Sequence, residues 1–254
     1  MRHVRAISRL ACAAAWTLAC YAGWLATRPL ALVSRAAAQR THAWFVRTWA
    51  RAVAHTLCLR VTVEGAVPAP PYFLVANHLS YLDIVALWTQ VDGAFLAKAE
   101  VARWPVIGLL ARSVGTCFID RTRKSDVPRA VATLGRALHE RGGVIVFPEG
   151  TSSAGEHVLP FRPSIFEVAA ASGTPVCCAS LAYEAGDGEP PASQSVCWWG
   201  DMPFGAHLYR LCGLRAVHAR IAFSHERLAH PDRKHLAARA HALVAGRLRP
   251  AEAV

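Results

Sequence analysis

The chain has 254 residues, 54% of them hydrophobic and 18% charged, which is enough apolar material for one substantial core and excludes disorder as the main state. Lysines and arginines number 28 against 17 aspartates and glutamates, a formal net charge of +11, so anionic surfaces or phosphorylated ligands suit it and both nucleic acid and anionic lipid stay open. The eight cysteines include no C-x-x-C pair and no histidine spacing that suits zinc; no metal is expected, and the thiols fit small core groups in a reducing compartment.

From Leu10 to Thr27 runs a stretch of 18 residues without a formal charge, preceded by Arg2, Arg5 and Arg9. That length just reaches the roughly 17 to 25 residues needed to span a bilayer and exceeds the roughly 7 to 15 of a signal-peptide core, so an anchor is expected over a cleaved signal. After Arg28-Pro29 a second helix is expected from Ser34 to Leu59, with Phe45, Trp49 and Val53 on one face and Arg40, Arg47 and Arg51 on the other. Such a helix either lies in the headgroup layer with its aromatics in the acyl boundary or buries the stripe in a protein core. Beside an apolar anchor the membrane alternative is favoured. Arginines flank the anchor on both sides, so a single span and a monotopic hairpin both remain open. The expected division is 1–59 as membrane anchor plus amphipathic helix and 60–254 as a globular domain.

Beyond Glu64-Gly65 and the prolines Pro68, Pro70 and Pro71, short β-branched and aromatic runs alternate with helical patterns. Strands are predicted at Arg60 to Val63, Tyr72 to Ala76, Ala94 to Ala97, Thr116 to Ile119, Val144 to Phe147, Val176 to Leu181, Ser195 to Trp199 and Ala216 to Phe223. Helices are predicted at Leu82 to Thr89, Glu100 to Arg112, Val127 to Arg141, Phe161 to Ser172, Pro203 to Cys212 and Arg233 to Leu248. This alternation predicts an α/β fold with a mostly parallel sheet covered by helices and a ligand site beyond the carboxyl ends of the strands.

Polar clusters follow those strand ends. The run Tyr72 to Ala76 leads into Asn77-His78-Leu79-Ser80-Tyr81-Leu82-Asp83. Positions five apart on a helix point about 140° from each other, so His78 and Asp83 can meet only if His78 precedes the helix. In that turn one ring N–H can bond Asp83 and leave the other nitrogen as an oriented base; on local spacing alone, a Ser80-x-x-Asp83 capping box explains the same residues. Val144 to Phe147 leads into Pro148-Glu149-Gly150-Thr151-Ser152-Ser153, where Gly150 permits a turn whose N–H groups face an anion. Gly150-x4-Gly155 lacks the Lys-Ser/Thr of a phosphate loop, having Glu156-His157 instead. Lys98 and Ile119-Asp120-Arg121 supply cations able to hold a phosphate, Arg121 as a planar fork and Lys98 as a point charge.

In order, Asn77-His78-x4-Asp83, Lys98-x-Glu100 with Trp104-Pro105 and Gly108, Gly115-x-x-Phe118-Ile119-Asp120-Arg121, Phe147-Pro148-Glu149-Gly150-Thr151 and Gly173-Thr174-Pro175-Val176 resemble the 1-acylglycerol-3-phosphate acyltransferase family. The resemblance covers about Tyr72 to Leu181. It implies an α/β acyltransferase domain carried by an N-terminal membrane helical motif, at the inner membrane and facing the cytoplasm. The implied reaction moves an acyl chain from coenzyme A or acyl carrier protein to a lysolipid hydroxyl, foremost 1-acylglycerol-3-phosphate, without a cofactor. It makes His78 the base and Asp83 its orienting group; Lys98 and Arg121 hold the acceptor phosphate, and Glu149, Gly150 and Thr151 form the acceptor block. Glu149 is expected to pair with Arg121 or a substrate hydroxyl, since a carboxylate repels phosphate. The chain departs from the family pattern at Val101 for leucine, Ser152 for arginine and Ser164 for glycine. The missing arginine opens the acceptor to other lysophospholipids or a lyso-aminolipid. No G-x-S-x-G elbow supplies a hydrolase nucleophile. A basic adaptor without catalysis remains as a rival, and the spread of charge without interleaved aromatics argues against nucleic acid.

Overall fold

The computed structural model describes residues 1–119 and 126–251. Seven strands form one sheet: β1 (Leu59–Glu64), β2 (Tyr72–Ala76), β3 (Ala94–Lys98), β4 (Cys117–Ile119), β5 (Gly143–Val146), β6 (Val176–Ala185) and β7 (Val217–Leu228), in the order β1-β7-β6-β2-β5-β3-β4. Every neighbouring pair is parallel except β6 with β7, which is antiparallel. The mostly parallel sheet expected from the sequence is present, and β2 lies in its middle.

Strand alternation divides the core into two layers. Tyr72, Leu74 and Ala76 of β2 enter one apolar cluster and Phe73 and Val75 the other. The first cluster packs against α3 (Arg35–Thr56), α4 (Leu82–Trp88) and α9 (Phe204–Cys212); the second packs against α6 (Asp126–Arg141), α7 (Glu167–Ser172) and α10 (Arg233–Ala245). A strand buried on both faces reads as a continuous apolar run, which is why β2 and β5 were visible in the sequence.

Three predicted elements are corrected. Ser195 to Trp199 is not a strand: Pro191 opens the short helix α8 (Ala192–Ser195), and the irregular segment after it gives its backbone to a loop, Trp198 N–H donating to Leu79 O at 2.8 Å. The helix predicted over Glu100 to Arg112 is interrupted at Trp104-Pro105, giving a 3₁₀ turn (Ala99–Arg103) and α5 (Ile107–Ser113). The Phe161 to Ser172 helix starts as a 3₁₀ turn at Pro163–Phe166 before α7.

At the N-terminus α1 (Arg2–Thr27), the single turn α2 (Leu30–Val33) and α3 form an antiparallel hairpin. The pairing is fixed by Thr56 Oγ1 near Cys12 Sγ, Trp49 Nε1 donating to Thr17 Oγ1 at 2.9 Å, and the Phe45 ring against Gly23, where a Cβ would stand 2.6 Å from the ring. The stripe Phe45, Trp49 and Val53 therefore faces α1 and the domain, not a bilayer: Val53 is buried and Trp49 meets Trp88 of α4 edge-on at 5.9 Å. Exposed apolar side chains lie instead on the outer face of α1 and at the hairpin tip, among them Leu18, Leu25, Leu32 and Val33, with Trp44 60% exposed on α3. Among the described residues Arg2–Val33 is the one helical stretch long and apolar enough to cross a membrane. Residues on both sides of position 59 share the first core cluster, Ala6, Val46, Ala50 and Leu57 with Leu74 and Leu181, so the two expected segments are packed as one body.

Candidate active site

Strand β2 ends at Ala76, and the next residue continues the sheet by its side chain. Asn77 accepts from Leu181 N at 2.7 Å and donates to Leu181 O at 2.9 Å, closing the ladder to β6 while freeing its own backbone to turn. His78 therefore lies outside α4, as the spacing required. Its Nδ1 donates to Asp83 Oδ2 at 2.7 Å, and its ring stacks on Phe147 at 4.1 Å with an interplanar angle of 7°.

Asp83 is 0% exposed, and both of its oxygens are engaged. Oδ2 accepts from the backbone N–H of Leu79 at 2.7 Å and of Ser80 at 3.1 Å, besides His78; Oδ1 accepts the Tyr183 hydroxyl at 2.8 Å. The two alternatives read from the sequence are both partly realised. Asp83 reaches back to Ser80 N as in a capping box, yet Ser80 Oγ has no partner among the described residues, and the same carboxylate holds the imidazole. With Nδ1–H committed to the carboxylate, Nε2 carries the lone pair.

The second strand end meets the first. Gly150 follows β5 with φ 79°, a backbone conformation suited to glycine. Glu149 is 4% exposed and does not line the cavity; its Oε1 accepts from His78 N at 3.1 Å. It therefore buttresses the histidine turn instead of facing substrate, which corrects its expected pairing with a substrate hydroxyl. Burial pushes its pKa from 4.5 up to about 8, against the pull of the His78 and Leu159 backbone N–H groups, and Asp83 adds to the rise. Its Oε2 is buried without a partner among the described residues. Arg121 lies outside the described residues.

His78, Lys98, Gly150 and Thr151 line a cavity of about 1210 Å³ whose remaining wall is mostly apolar, including Trp49, Phe95 and Trp104. It extends to Leu10, Thr17 and Trp24 of α1, so the hairpin forms part of the wall. Ser152, where the related pattern carries arginine, donates its hydroxyl to Trp198 O and adds no charge. The roles of Tyr183 and Trp198 were missed in the sequence: one lies 100 residues from Asp83 within an apolar strand, and the other fell in a segment assigned to a strand. Among the described residues no cluster of three or more potential metal ligands occurs.

Comparison with known proteins follows the same lines. The family model described as Acyltransferase matches residues 58–182. The chain is 34% identical over 213 residues to a lyso-ornithine lipid O-acyltransferase of Rhodobacter capsulatus, covering 78% of this chain and 76% of that one. A match to a lyso-ornithine lipid O-acyltransferase of Rhizobium meliloti is 39% identical over 130 residues but spans 51% of this chain and 44% of the relative. Identity to a 1-acyl-sn-glycerol-3-phosphate acyltransferase of Neisseria meningitidis is 30% over 169 residues, 65% of each chain. In fold the chain is similar to the crystal structure of the 1-acyl-sn-glycerophosphate acyltransferase of Thermotoga maritima, with a TM-score of 0.67, 22% identity and coverage of 97% of this chain and 95% of that one.

Proposed function

The chain belongs to the 1-acylglycerol-3-phosphate acyltransferase family and is an O-acyltransferase of lysolipids, and from that premise we propose that its acceptor is lyso-ornithine lipid and its donor an acyl thioester of coenzyme A or acyl carrier protein. The observation that carries the catalytic reading is the edge of an oriented His78 on a large apolar cavity. His78 Nε2 takes the proton of the acceptor hydroxyl as that oxygen attacks the thioester carbonyl; the C–S bond breaks, and the departing thiolate receives the proton from the imidazolium. Asp83 holds the imidazole in the required tautomer and balances its charge. No covalent intermediate on the protein is needed for this transfer.

Ser152 favours an amino-acid headgroup over a phosphate, because the position carries a neutral hydroxyl already bonded to Trp198 O. Relatives 39% and 34% identical to the chain bear the lyso-ornithine name. Lys98, exposed at the cavity rim, suits a headgroup carboxylate. Transfer to 1-acylglycerol-3-phosphate is the second reading, supported by the Neisseria relative. The eight free thiols and the basic surface suit an inner-membrane protein working on the cytoplasmic side with acidic donors. The test is product mass spectrometry with purified full-length protein, offered each acceptor separately with acyl-CoA and with acyl carrier protein. A higher kcat/KM for lyso-ornithine lipid is expected; preference for 1-acylglycerol-3-phosphate would overturn the acceptor assignment.

A further inference from the structure

We propose that Tyr183 is a positioning residue for acyl transfer, its hydroxyl holding the far oxygen of Asp83 so that the near oxygen stays on His78. Tyr183 stands on β6, fully enclosed, and its hydroxyl meets Asp83 Oδ1 at 2.8 Å. It does not line the cavity, so no part of the phenol meets substrate. The other three donors to Asp83 all converge on Oδ2. Without Tyr183, Oδ1 is a buried charged oxygen with no partner, a costly state that turning the carboxylate toward shared donors relieves. That rotation loosens the one contact that sets the histidine tautomer.

The donor role does not lapse with pH, because burial first and the Asp83 charge second raise the ionisation of Tyr183 well above the ordinary phenol range. Other groups facing the dyad are Glu149, from the turn after β5, and the Cys197 thiol, from the segment after α8, which burial pushes up to about 12. Both stay in place when Tyr183 is changed.

The test uses full-length Tyr183→Phe, which keeps the ring and its apolar contacts, with whichever lysolipid the wild type accepts; the inference rests on the reaction class and not on the acceptor's identity. The expected result is a kcat about 10- to 100-fold lower, the effect of losing a hydrogen bond to a charged group. KM for both substrates should stay within about two-fold and the pH profile of kcat/KM should change. In an Asp83→Asn background the same change should cost less than about three-fold, since the two act as one unit. As a second variant, 3-fluorotyrosine at 183, which keeps the ring and the hydroxyl donor, should stay within about three-fold of wild-type kcat. Wild-type kcat with an unchanged pH profile in Tyr183→Phe, an equal loss in both backgrounds, or a loss with fluorotyrosine as large as that of Tyr183→Phe would each overturn the assignment.

Discussion

Side chains and backbone groups far apart in sequence hold the turn after β2 from several directions. Asn77 clasps Leu181, Glu149 takes His78 N, Ser153 N donates to His78 O and Trp198 N donates to Leu79 O. His78→Ala should lower kcat by roughly 10² to 10⁴ while leaving thermal unfolding close to wild type, because the turn is fixed by backbone and not by the imidazole; activity within a few-fold of wild type would exclude it as the base. For Glu149 the sign of the pH effect is set by the upward shift from 4.5 to about 8. The folded chain keeps a proton that the unfolded chain releases, so this contribution is complete below pH 4.5 and is lost as pH rises through 8. Glu149→Gln, a neutral isostere, should accordingly flatten the fall of Tm between pH 4.5 and about 8 and gain most over wild type at the alkaline end. His78 and Asp83 were legible because five residues and one helix start decide whether they meet. The true work of Glu149 and Tyr183 was not, since it depends on partners 71 and 100 residues away.

Among the elements, those whose boundaries are set by local chemistry were the ones readable in advance. Strand β2 was found to the residue because Pro71 precedes its apolar run and Asn77 ends it. Strand β6 was read short at Leu181: Tyr183 and Ala185 extend it only because β7 lies antiparallel alongside, pairing Tyr183 with Ala219 and Ala185 with Val217. The break inside Glu100 to Arg112 has a specific geometry. Val106 sits at φ 62°, ψ −57°, and Ile107 N–H donates to Pro105 O at 2.6 Å, a three-residue γ-turn that a β-branched side chain adopts under strain. Val106 is also exposed, so its side chain returns little packing. Val106→Gly should raise stability by about 1 kcal/mol, the relief of strain exceeding the added chain entropy of glycine; a lower Tm in differential scanning calorimetry would show that the side chain has a packing role after all.

Over the whole molecule, the hairpin and the sheet share a core, and the catalytic cavity lies partly between them. Deleting residues 1–59 strips α3 from α4 and removes Leu59 from β1, exposing a large apolar face. The truncated chain should be recovered aggregated or with a sharply lower Tm, whereas a soluble, cooperatively unfolding product would show that the domain is self-sufficient. Binding to liposomes should survive high salt, since screening weakens arginine contacts with anionic lipid but leaves burial of the α1 face and tip intact. Flotation across a salt series reads this directly: full-length protein that leaves the vesicles in high salt would make the attachment electrostatic.

The first turns of α1 carry a further implication for membrane sidedness. Arg5 donates from Nε to Gly213 O at 2.9 Å, and Arg9 donates to Cys212 O at 3.3 Å and to Leu214 O, so guanidinium groups rivet the start of the apolar helix to the end of α9. The helix that follows α2 returns to the sheet at β1. Both feet of the hairpin thus stand on the catalytic domain, and from this tethering we expect the apolar segment to dip into one leaflet and come back. A protease or impermeant thiol reagent should consequently reach an N-terminal tag and the catalytic domain from one face of the membrane; labelling of the two from opposite faces would mean that the arginine rivets open when the chain enters the bilayer.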